Sequence, residues 1–404
     1  MPNKTTIMYE REYLSVLKGR LNEDRQFIQV VFGPRQVGKT TMVLQLLKHL
    51  TVPVLFVSAD DVPAADRSWI KNNWSEARRR LALSESNNEF LLVIDEIQKI
   101  DNWSETVKKE WDTDTKENRN LKVLILGSSR LLIQQGLTES LAGRFETTYI
   151  PHWSYKEMKD AFAWNVKQYC WFGGYPGAVS LIVQEERWRD YIKNALVETS
   201  LSKDIVMLTR VEKPALLRRL FEIGSVYSGK ILSLTKIQGD LQESGNLTTL
   251  SHYLQLLGSS GLLEGIEKYA GSIIRKRSSK PKFQVFNNAL LSSQLNRSLN
   301  EAYENSKLWG QVVESAVGSH LLNHSIVDRF NLYYWNENSK EVDFVIEKEG
   351  ILIAIEVKSG KDSSNDGMAV FNKMYNPKHT FIVGTDGIPL DEFLSLRPAQ
   401  LFSI

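Results

Sequence analysis

The chain has 404 residues, 42% of them hydrophobic and 24% charged, so it carries apolar material for more than one core. At about 150 residues per domain, this length predicts two to three domains. Fifty Lys and Arg residues against 48 Asp and Glu residues give a formal net charge of +2, which excludes a globally basic, histone-like protein and an acidic tail. Any surface for nucleic acid must therefore be a local patch.

The cysteine content and the hydropathy of the sequence indicate the cellular compartment in which the protein is expected. The single cysteine, Cys170, excludes a disulfide framework within the chain and a thiolate zinc cluster. No run approaches the roughly 18 apolar residues of a membrane helix, and the N-terminus is polar rather than a signal sequence. We therefore expect a soluble, cytoplasmic, modular protein with no membrane partner.

The first part of the chain alternates short apolar runs with helical or polar stretches. Strands are predicted at 27–32, 54–58, 90–94 and 123–126, and a helix at 41–50. Such alternation is typical of a parallel sheet covered by helices.

The segment between the first strand and the first helix fits G-x-x-x-x-G-K-[ST] at every position. In that setting, backbone N–H groups and the helix N-terminus surround phosphate oxygens, Lys39 reaches the β and γ phosphates, and Thr40 binds Mg²⁺. We therefore predict an ATP site formed by Gly33, Pro34, Arg35, Gln36, Val37, Gly38, Lys39, Thr40 and Thr41.

A second motif supports hydrolysis rather than passive binding. The apolar run at 90–94 ends in Asp95, which can hold Mg²⁺ through water, and Glu96, which can polarise the attacking water. The strand at 123–126 leads into Ser128 and Ser129, which fit a hydrolysis-sensing role equally well. Ser128 is included in the predicted nucleotide site.

The middle of the chain has a different pattern of predicted elements. Residues 165–230 are mostly helical, and residues 212–290 combine three helices (215–227, 234–242 and 250–260) with two strand-like stretches (265–274 and 281–286). Three helices and a basic hairpin describe a winged helix-turn-helix.

The proposed wing carries clustered cations. Its basic residues are Arg275, Lys276, Arg277, Lys280 and Lys282. Cations beside hydroxyls suit phosphate contacts with DNA, and Thr248 and Thr249 would face the groove from the start of the recognition helix. The alternative is a solvated loop, because charge runs often have no partner.

The last hundred residues begin with a helix (309–324) and continue as strands at 332–335, 341–346, 351–358 and 380–383. Side chains in a strand repeat every two positions, so Glu356 and Lys358 share one face. If the second and third of these strands pair as a hairpin, Asp343 approaches the same face.

The chain resembles the AAA+ superfamily, and within it a prokaryotic family that joins an AAA+ module to an uncharacterised C-terminal domain. The matching segments are GPRQVGKT (33–40), LLVIDEIQKI (91–100), LGSSRLL (126–132), LAGRFETTYIPHWSYKEM (141–158) and FGGYPGAV (172–179). The resemblance makes Arg144 a candidate for contacting the γ phosphate, in cis or from a neighbouring subunit. A structural salt bridge is the alternative. Arg130 is a weaker candidate for the same role.

The C-terminal pattern is similar to the D-x(n)-E-x-K arrangement of PD-(D/E)xK nucleases, with Val342 where that family usually has proline. The resemblance implies that Asp343 and Glu356 bind Mg²⁺ or Mn²⁺, that Lys358 orients water, and that Glu314 on the preceding helix completes the metal shell. The alternatives are an amphipathic hairpin with a surface Glu-Lys pair, or a core that only grips DNA.

Together these patterns predict an α/β multidomain protein. Its parts are an AAA+ P-loop α/β sandwich at 1–165, a helical lid or linker at 166–211, a winged helix-turn-helix at 212–295 and an α/β restriction-endonuclease-like domain at 296–404. We expect an Mg²⁺-dependent ATPase, possessing a metal-dependent nuclease-like core, that acts on DNA. Branched DNA and a hexameric homo-oligomer follow only by analogy with branch-migration motors. The alternative is a nucleotide-gated signalling or defence switch.

Overall fold

The computed structural model describes residues 9–84, 89–128, 140–206, 211–240, 246–270, 279–360 and 366–404. The chain divides into two compact units, Met1–Ile150 and Pro151–Ile404. Among the described residues, no helix combines the length and the apolar character needed to cross a bilayer.

The first unit alternates helices and strands along the chain. Its elements are α1 (Tyr13–Asn22), β1 (Ile28–Phe32), α2 (Lys39–Leu47), β2 (Val54–Ser58), α3 (Ser68–Leu83), β3 (Phe90–Asp95), α4 (Trp103–Lys116), β4 (Leu121–Gly127) and β5 (Phe145–Tyr149). The strands form one parallel sheet in the order β2-β3-β4-β1-β5. The predicted parallel α/β sheet is confirmed, although the sequence patterns gave no indication of β5.

The central strands of this sheet are buried along their whole length. Every residue of β1, β3 and β4 is buried, as expected for strands with both faces covered. Trp74 of α3 and Trp111 of α4 lie in the same core as the strand residues. The result is a rigid sheet whose carboxyl edge carries the loops that follow β1, β3 and β4.

The second unit begins with helices. They are α5 (Tyr155–Phe162), α6 (Val166–Phe172), α7 (Glu185–Asp190), two π-helical stretches (Tyr191–Val197 and Ser200–Val206), α8 (Pro214–Val226), α9 (Leu234–Asp240) and α10 (Leu247–Ser259). The chain continues with β6 (Leu263–Lys268), β7 (Lys282–Val285), α11 (Ala289–Ser292), α12 (Leu299–Glu304), α13 (Ser306–Asp328), β8 (Asn331–Glu337), β9 (Lys340–Lys348), β10 (Ile351–Lys358), α14 (Asp366–Tyr375), β11 (His379–Gly384) and α15 (Leu390–Ser395).

One six-stranded sheet runs through the second unit in the order β11-β10-β9-β8-β6-β7. The pair β6–β7 is antiparallel, as predicted for a wing, but β6 also pairs in parallel with β8 through Glu267 and Tyr333. Strands from the regions predicted as a winged helix and as a nuclease-like domain therefore share one sheet. The winged helix and the four domain bounds stay predictions.

Candidate functional site

The phosphate loop joins the carboxyl end of β1 to the start of α2, with β4 and β5 flanking β1 in the sheet. Helix α2 begins at Lys39 after the N-cap Gly38, which has no side-chain hydrogen bond, so the N-terminus of the helix points its N–H groups toward the loop. The Lys39 ammonium donates to the carbonyl oxygens of Gly33 and Pro34, at 2.9 and 2.8 Å. The lysine is therefore folded across the inside of the loop, where the pattern places the phosphates.

Two glycines fix the course of this loop. Gly38 has φ +83°, a conformation that side chains disfavour. At Gly33 a Cβ atom would lie 2.1 Å from the carbonyl oxygen of Ile150, so the loop packs directly against backbone. The spacing of glycines in the motif thus has a steric cause at both positions.

Asp95, the last residue of β3, faces the start of α2. Its Oδ2 accepts a hydrogen bond from the Thr40 hydroxyl at 3.0 Å, and its Oδ1 accepts one from the backbone N–H of Glu96. Burial raises the pKa of Asp95, against the lowering effect of the bond from Thr40. This carboxylate therefore lies in a desolvated position that a bound cation would stabilise.

Glu96 lies next to Asp95 in a left-handed backbone conformation, with φ 54°. Its Oε2 accepts hydrogen bonds from the Ser128 hydroxyl at 3.0 Å and from the Gln98 amide at 2.7 Å. Burial raises the pKa of Glu96, while the charges of Lys39 and Arg35 lower it. A carboxylate with a raised pKa beside a phosphate loop is suited to accept a proton from water.

Ser128 therefore contacts the predicted catalytic glutamate, whereas Ser129 and Arg130 lie outside the described residues. Gln98 was missed by the sequence analysis. It follows the Asp-Glu pair by two residues and lies in a short 3₁₀ turn (Ile97–Lys99) that directs its amide at Glu96. Only its position directly after that pair could have singled it out.

These residues fit a magnesium ion. Mg²⁺ prefers hard oxygen ligands and is held through few protein groups together with substrate phosphates. The Thr40 hydroxyl and the Asp95 carboxylate provide such oxygens in contact with each other, and the positive charge of Lys39 also acts on Asp95. Thr40 and Asp95 would hold the ion, as the sequence predicts.

The other loop positions have distinct environments. The charge of Arg35 acts on Glu96 and on Asp60, which follows β2 at the same edge. The Val37 side chain is fully buried, so this residue can contribute only backbone to a nucleotide. Gln36 and Thr41 are exposed.

Arg144 lies away from this edge. The residue precedes β5, and its carbonyl oxygen accepts the N–H of Ile28, the first residue of β1. The phosphate loop starts after the last residue of β1, so the five-residue strand, about 16 Å long, separates the two. Arg144 instead forms two hydrogen bonds with Asp112, at 2.7 and 3.1 Å. Arg144 therefore does not reach the phosphate loop of its own chain in this arrangement, and its contact with the γ phosphate, from a neighbouring subunit, stays a prediction.

The predicted hairpin of β9 and β10 is present in the second unit. The strands are antiparallel, with Lys348 opposite Ile351 and Phe344 opposite Ile355. The next pair along this register is Asp343 and Glu356, and Asp343 Oδ2 accepts the backbone N–H of Val357 at 2.8 Å. The two carboxylates that the sequence placed together therefore face each other across the hairpin.

A fully buried lysine stands beside Asp343. The Nζ of Lys282 on β7 lies 2.6 Å from Glu314 Oε1 and 3.2 Å from Glu341 Oε1. It also lies 3.2 Å from the backbone oxygen of Asp343 and 3.6 Å from its Oδ1. Burial disfavours the charged ammonium, but the carboxylates of Glu314, Asp343 and Glu341 raise the pKa of Lys282 above its usual value.

The carboxylates themselves are strongly perturbed. Burial raises the pKa of Glu314 to about 7, against the lowering effect of Lys282. Burial and the nearby Asp343 raise the pKa of Glu356 to about 8, while Lys282 and Lys358 lower it. Among the described residues, Glu356 Oε2 is buried without a hydrogen-bond partner.

The set of carboxylates that could share one ion differs from the predicted one. Within the described part of the chain, ligand oxygens of Glu314, Glu341 and Asp343 lie within 4.8 Å of one another. Glu341 was not predicted, and Glu356 is not in this group. A divalent ion would lie about 2.0–2.6 Å from such oxygens. The Lys282 ammonium already takes that space, so the residues do not fit a metal ion in this arrangement.

The residues predicted to contact DNA are only partly described. Arg275, Lys276 and Arg277 lie outside the described residues. Lys280 and Thr248 are exposed, whereas the Thr249 hydroxyl donates to the helix cap Asn246 at 2.8 Å. The sequence also placed Lys282 among these cations. Its side chain is buried and paired with the carboxylate cluster, so it cannot contact a DNA phosphate.

Comparisons with known proteins agree with the first of these two sites. Residues 25–159 match the family model of an AAA domain, and this region is therefore P-loop ATPase-like and indicates nucleotide binding. Residues 163–301 and 309–396 match two families described as domains of unknown function, DUF8612 and DUF4143. Neither description tests the winged helix or the nuclease-like core.

Two similar proteins span most of the chain. An uncharacterised protein of Methanocaldococcus jannaschii is 26% identical over 82% of this chain and 75% of its own length. An uncharacterised protein of Haemophilus influenzae is 22% identical over 83% of each chain. The crystal structure of Saccharomyces cerevisiae RIF2 covers 43% of this chain and 70% of its own, with 14% identity and a TM-score of 0.28.

Proposed function

We propose that this protein is an Mg²⁺-dependent ATPase that couples hydrolysis to binding or remodelling DNA. The observation that carries the proposal is the convergence of Lys39, Thr40, Asp95, Glu96 and Ser128 at one edge of a parallel sheet. In open α/β sheets, ligands bind at the carboxyl ends of the strands.

Each residue has a role that follows from its position. Thr40 and Asp95 would hold Mg²⁺, which would supply neutralisation of the charge that develops on phosphoryl transfer. The Lys39 ammonium exchanges the loop carbonyls, 2.9 and 2.8 Å away, for phosphate oxygens. Glu96 orients a water and accepts its proton, and Ser128 and Gln98 fix the direction of the Glu96 carboxylate.

ATP turnover by the purified chain tests the first half of the proposal. Phosphate release should require Mg²⁺ and should be lost in Lys39→Ala, which removes the ammonium from the loop. An exposed lysine of the same unit, Lys71, offers the matched control Lys71→Ala, which should keep full turnover. Turnover that survives Lys39→Ala would contradict the assignment.

DNA as the partner is supported by the sequence cations at 275–277 and by the exposed start of α10 at Thr248. The chain is to be tested on duplex, single-stranded, forked and four-way DNA, with and without ATP. Replacing Arg275, Lys276 and Arg277 together by alanine should weaken binding and reduce its salt dependence, because phosphate contacts release counterions. Replacing Arg79 and Arg80, which pair with Glu76, is the matched control.

The second candidate is a nucleotide-gated switch, which the same phosphate loop also favours. Turnover that rises on adding DNA supports the remodelling function. Slow turnover that DNA leaves unchanged, with assembly that depends on the bound nucleotide, supports the switch. Binding of none of the four DNA forms would contradict the DNA half of the proposal and leave the ATPase half standing.

A further inference from the structure

The carboxylate cluster of the second unit includes its own cation. An ammonium group has three N–H donors. Three oxygens lie within 3.2 Å of the Lys282 Nζ: Oε1 of Glu314, Oε1 of Glu341 and the backbone oxygen of Asp343. Its three donors are therefore satisfied by two carboxylates and one backbone carbonyl.

The surroundings hold this lysine in place. Its side chain is fully buried, and the Nζ also lies 4.9 Å from the centre of the Phe344 ring, within the range of a cation–π contact. The backbone of Lys282 pairs with Ile266 in β6. A lysine anchored by its strand, covered by a ring and bonded to groups on α13 and β9 has no exposed alternative position without local rearrangement.

A divalent ion and this ammonium exclude each other. Ion–oxygen distances of about 2.0–2.6 Å would place the ion where the Nζ stands, and two cations at such a separation repel strongly.

We infer that Lys282 takes the place of a metal ion in the cluster of Glu314, Glu341 and Asp343, so that these three carboxylates hold no divalent cation. The lysine ties α13 and β9 to β7. The cluster is therefore a buried ion-pair network rather than the metal site of a nuclease. This inference is independent of ATP hydrolysis in the first unit.

The test is a titration of the full chain with Mn²⁺ in the absence of nucleotide. Electron paramagnetic resonance measures the free Mn²⁺ at each step. The titration extends to about 1 mM Mn²⁺, a concentration range that covers sites with oxygen ligands. Four chains are compared: wild type, Asp343→Asn, Lys282→Met and the double variant Lys282→Met/Asp343→Asn. The wild type and Asp343→Asn should bind Mn²⁺ equally. Lys282→Met should gain one ion that the double variant loses.

Two results would overturn the inference. One is a wild type that binds one more ion than Asp343→Asn, since the cluster would then hold metal beside its lysine. The other is a folded Lys282→Met chain that gains no ion. Near-ultraviolet circular dichroism checks the fold, and if Lys282→Met does not fold, the comparison of wild type with Asp343→Asn still decides. Lys282→Arg keeps the charge and should behave as the wild type.

Discussion

Both units contain a cluster of lysine and carboxylate side chains, but the charges of these side chains are neutralised in different ways. In the first unit, Asp95 accepts a hydrogen bond from a neutral hydroxyl, and Lys39 donates to loop carbonyls while its charge also acts on Asp95 and Glu96. In the second, Lys282 is bonded directly to the carboxylates. Where the lysine and the carboxylates contact other groups, a divalent ion and the phosphates can bind between them. Where a lysine lies among the carboxylates, it neutralises their charge in place of an ion. The residue list alone does not distinguish the two cases.

The largest expected effect concerns the ATP site. Glu96→Gln keeps the shape of the side chain and its contact with Ser128 but removes the proton acceptor, so turnover should fall by about 10²–10⁴ while nucleotide binding is retained. A phosphate-release assay beside a binding assay with labelled ATP measures both. Glu105→Gln, at an exposed position on α4, should change neither. Equal loss of binding and turnover would mean that Glu96 is not the base.

The buried lysine should matter for stability. Lys282→Met leaves Glu314, Glu341 and Asp343 without their shared cation, and removing one partner of a buried ion pair costs about 3–5 kcal/mol. Urea unfolding of the two chains measures the loss. Lys280→Met, two residues away and exposed, should stay within about 0.5 kcal/mol of the wild type. If the two variants behaved alike, Lys282 would not be neutralising the cluster.

Ser128 gives a finer test of the ATP site. Ser128→Ala removes a hydrogen bond to the Glu96 carboxylate, and turnover should fall about tenfold, the effect of losing one bond to a charged group. Ser58→Ala is the matched control, because Ser58 ends β2 at the same edge but contacts Asp60. A fall as large as that of Glu96→Gln would instead indicate a direct catalytic role for the serine.

The folded chain should also show a pH-dependent stability. The pKa of Glu356 is raised from 4.5 to about 8, so between these values the folded chain holds a proton that the unfolded chain has lost. Stability should therefore fall as pH rises through this range. Glu356→Gln keeps a neutral group there, so the fall should flatten, and urea unfolding at pH 9 should show the variant to be more stable than the wild type. Asp343, Lys282 and Lys358 are the charged groups that act on Glu356.

Local patterns were sufficient for much of the fold and for the first site. The strands at 54–58 and 351–358 were predicted at their observed bounds, and the phosphate loop lies where its spacing indicated. β5 was missed because FETTY (145–149) lacks the apolar run of a buried strand, with only one of its residues buried. A sheet edge can be filled by residues that periodicity does not single out.

The errors came from contacts between distant parts of the chain. The sequence places Lys282 among the cations of a basic loop. Only the packing of β7 against α13 and β9 shows that its ammonium is buried and paired with carboxylates. Glu341 was also missed, although it lies two residues before Asp343 on the same face of β9 and joins Asp343 and Glu314 in the cluster. Arg144 is distant from the phosphate loop because its strand is parallel to β1.

The central claim is that the first unit takes a divalent ion together with nucleotide and that the second unit holds none. Counting Mn²⁺ ions bound per chain, with and without a non-hydrolysable ATP analogue, tests it most directly. We predict one ion with the analogue, lost in Asp95→Asn, and no ion without it. An ion that remains without nucleotide and disappears in Asp343→Asn would contradict the account.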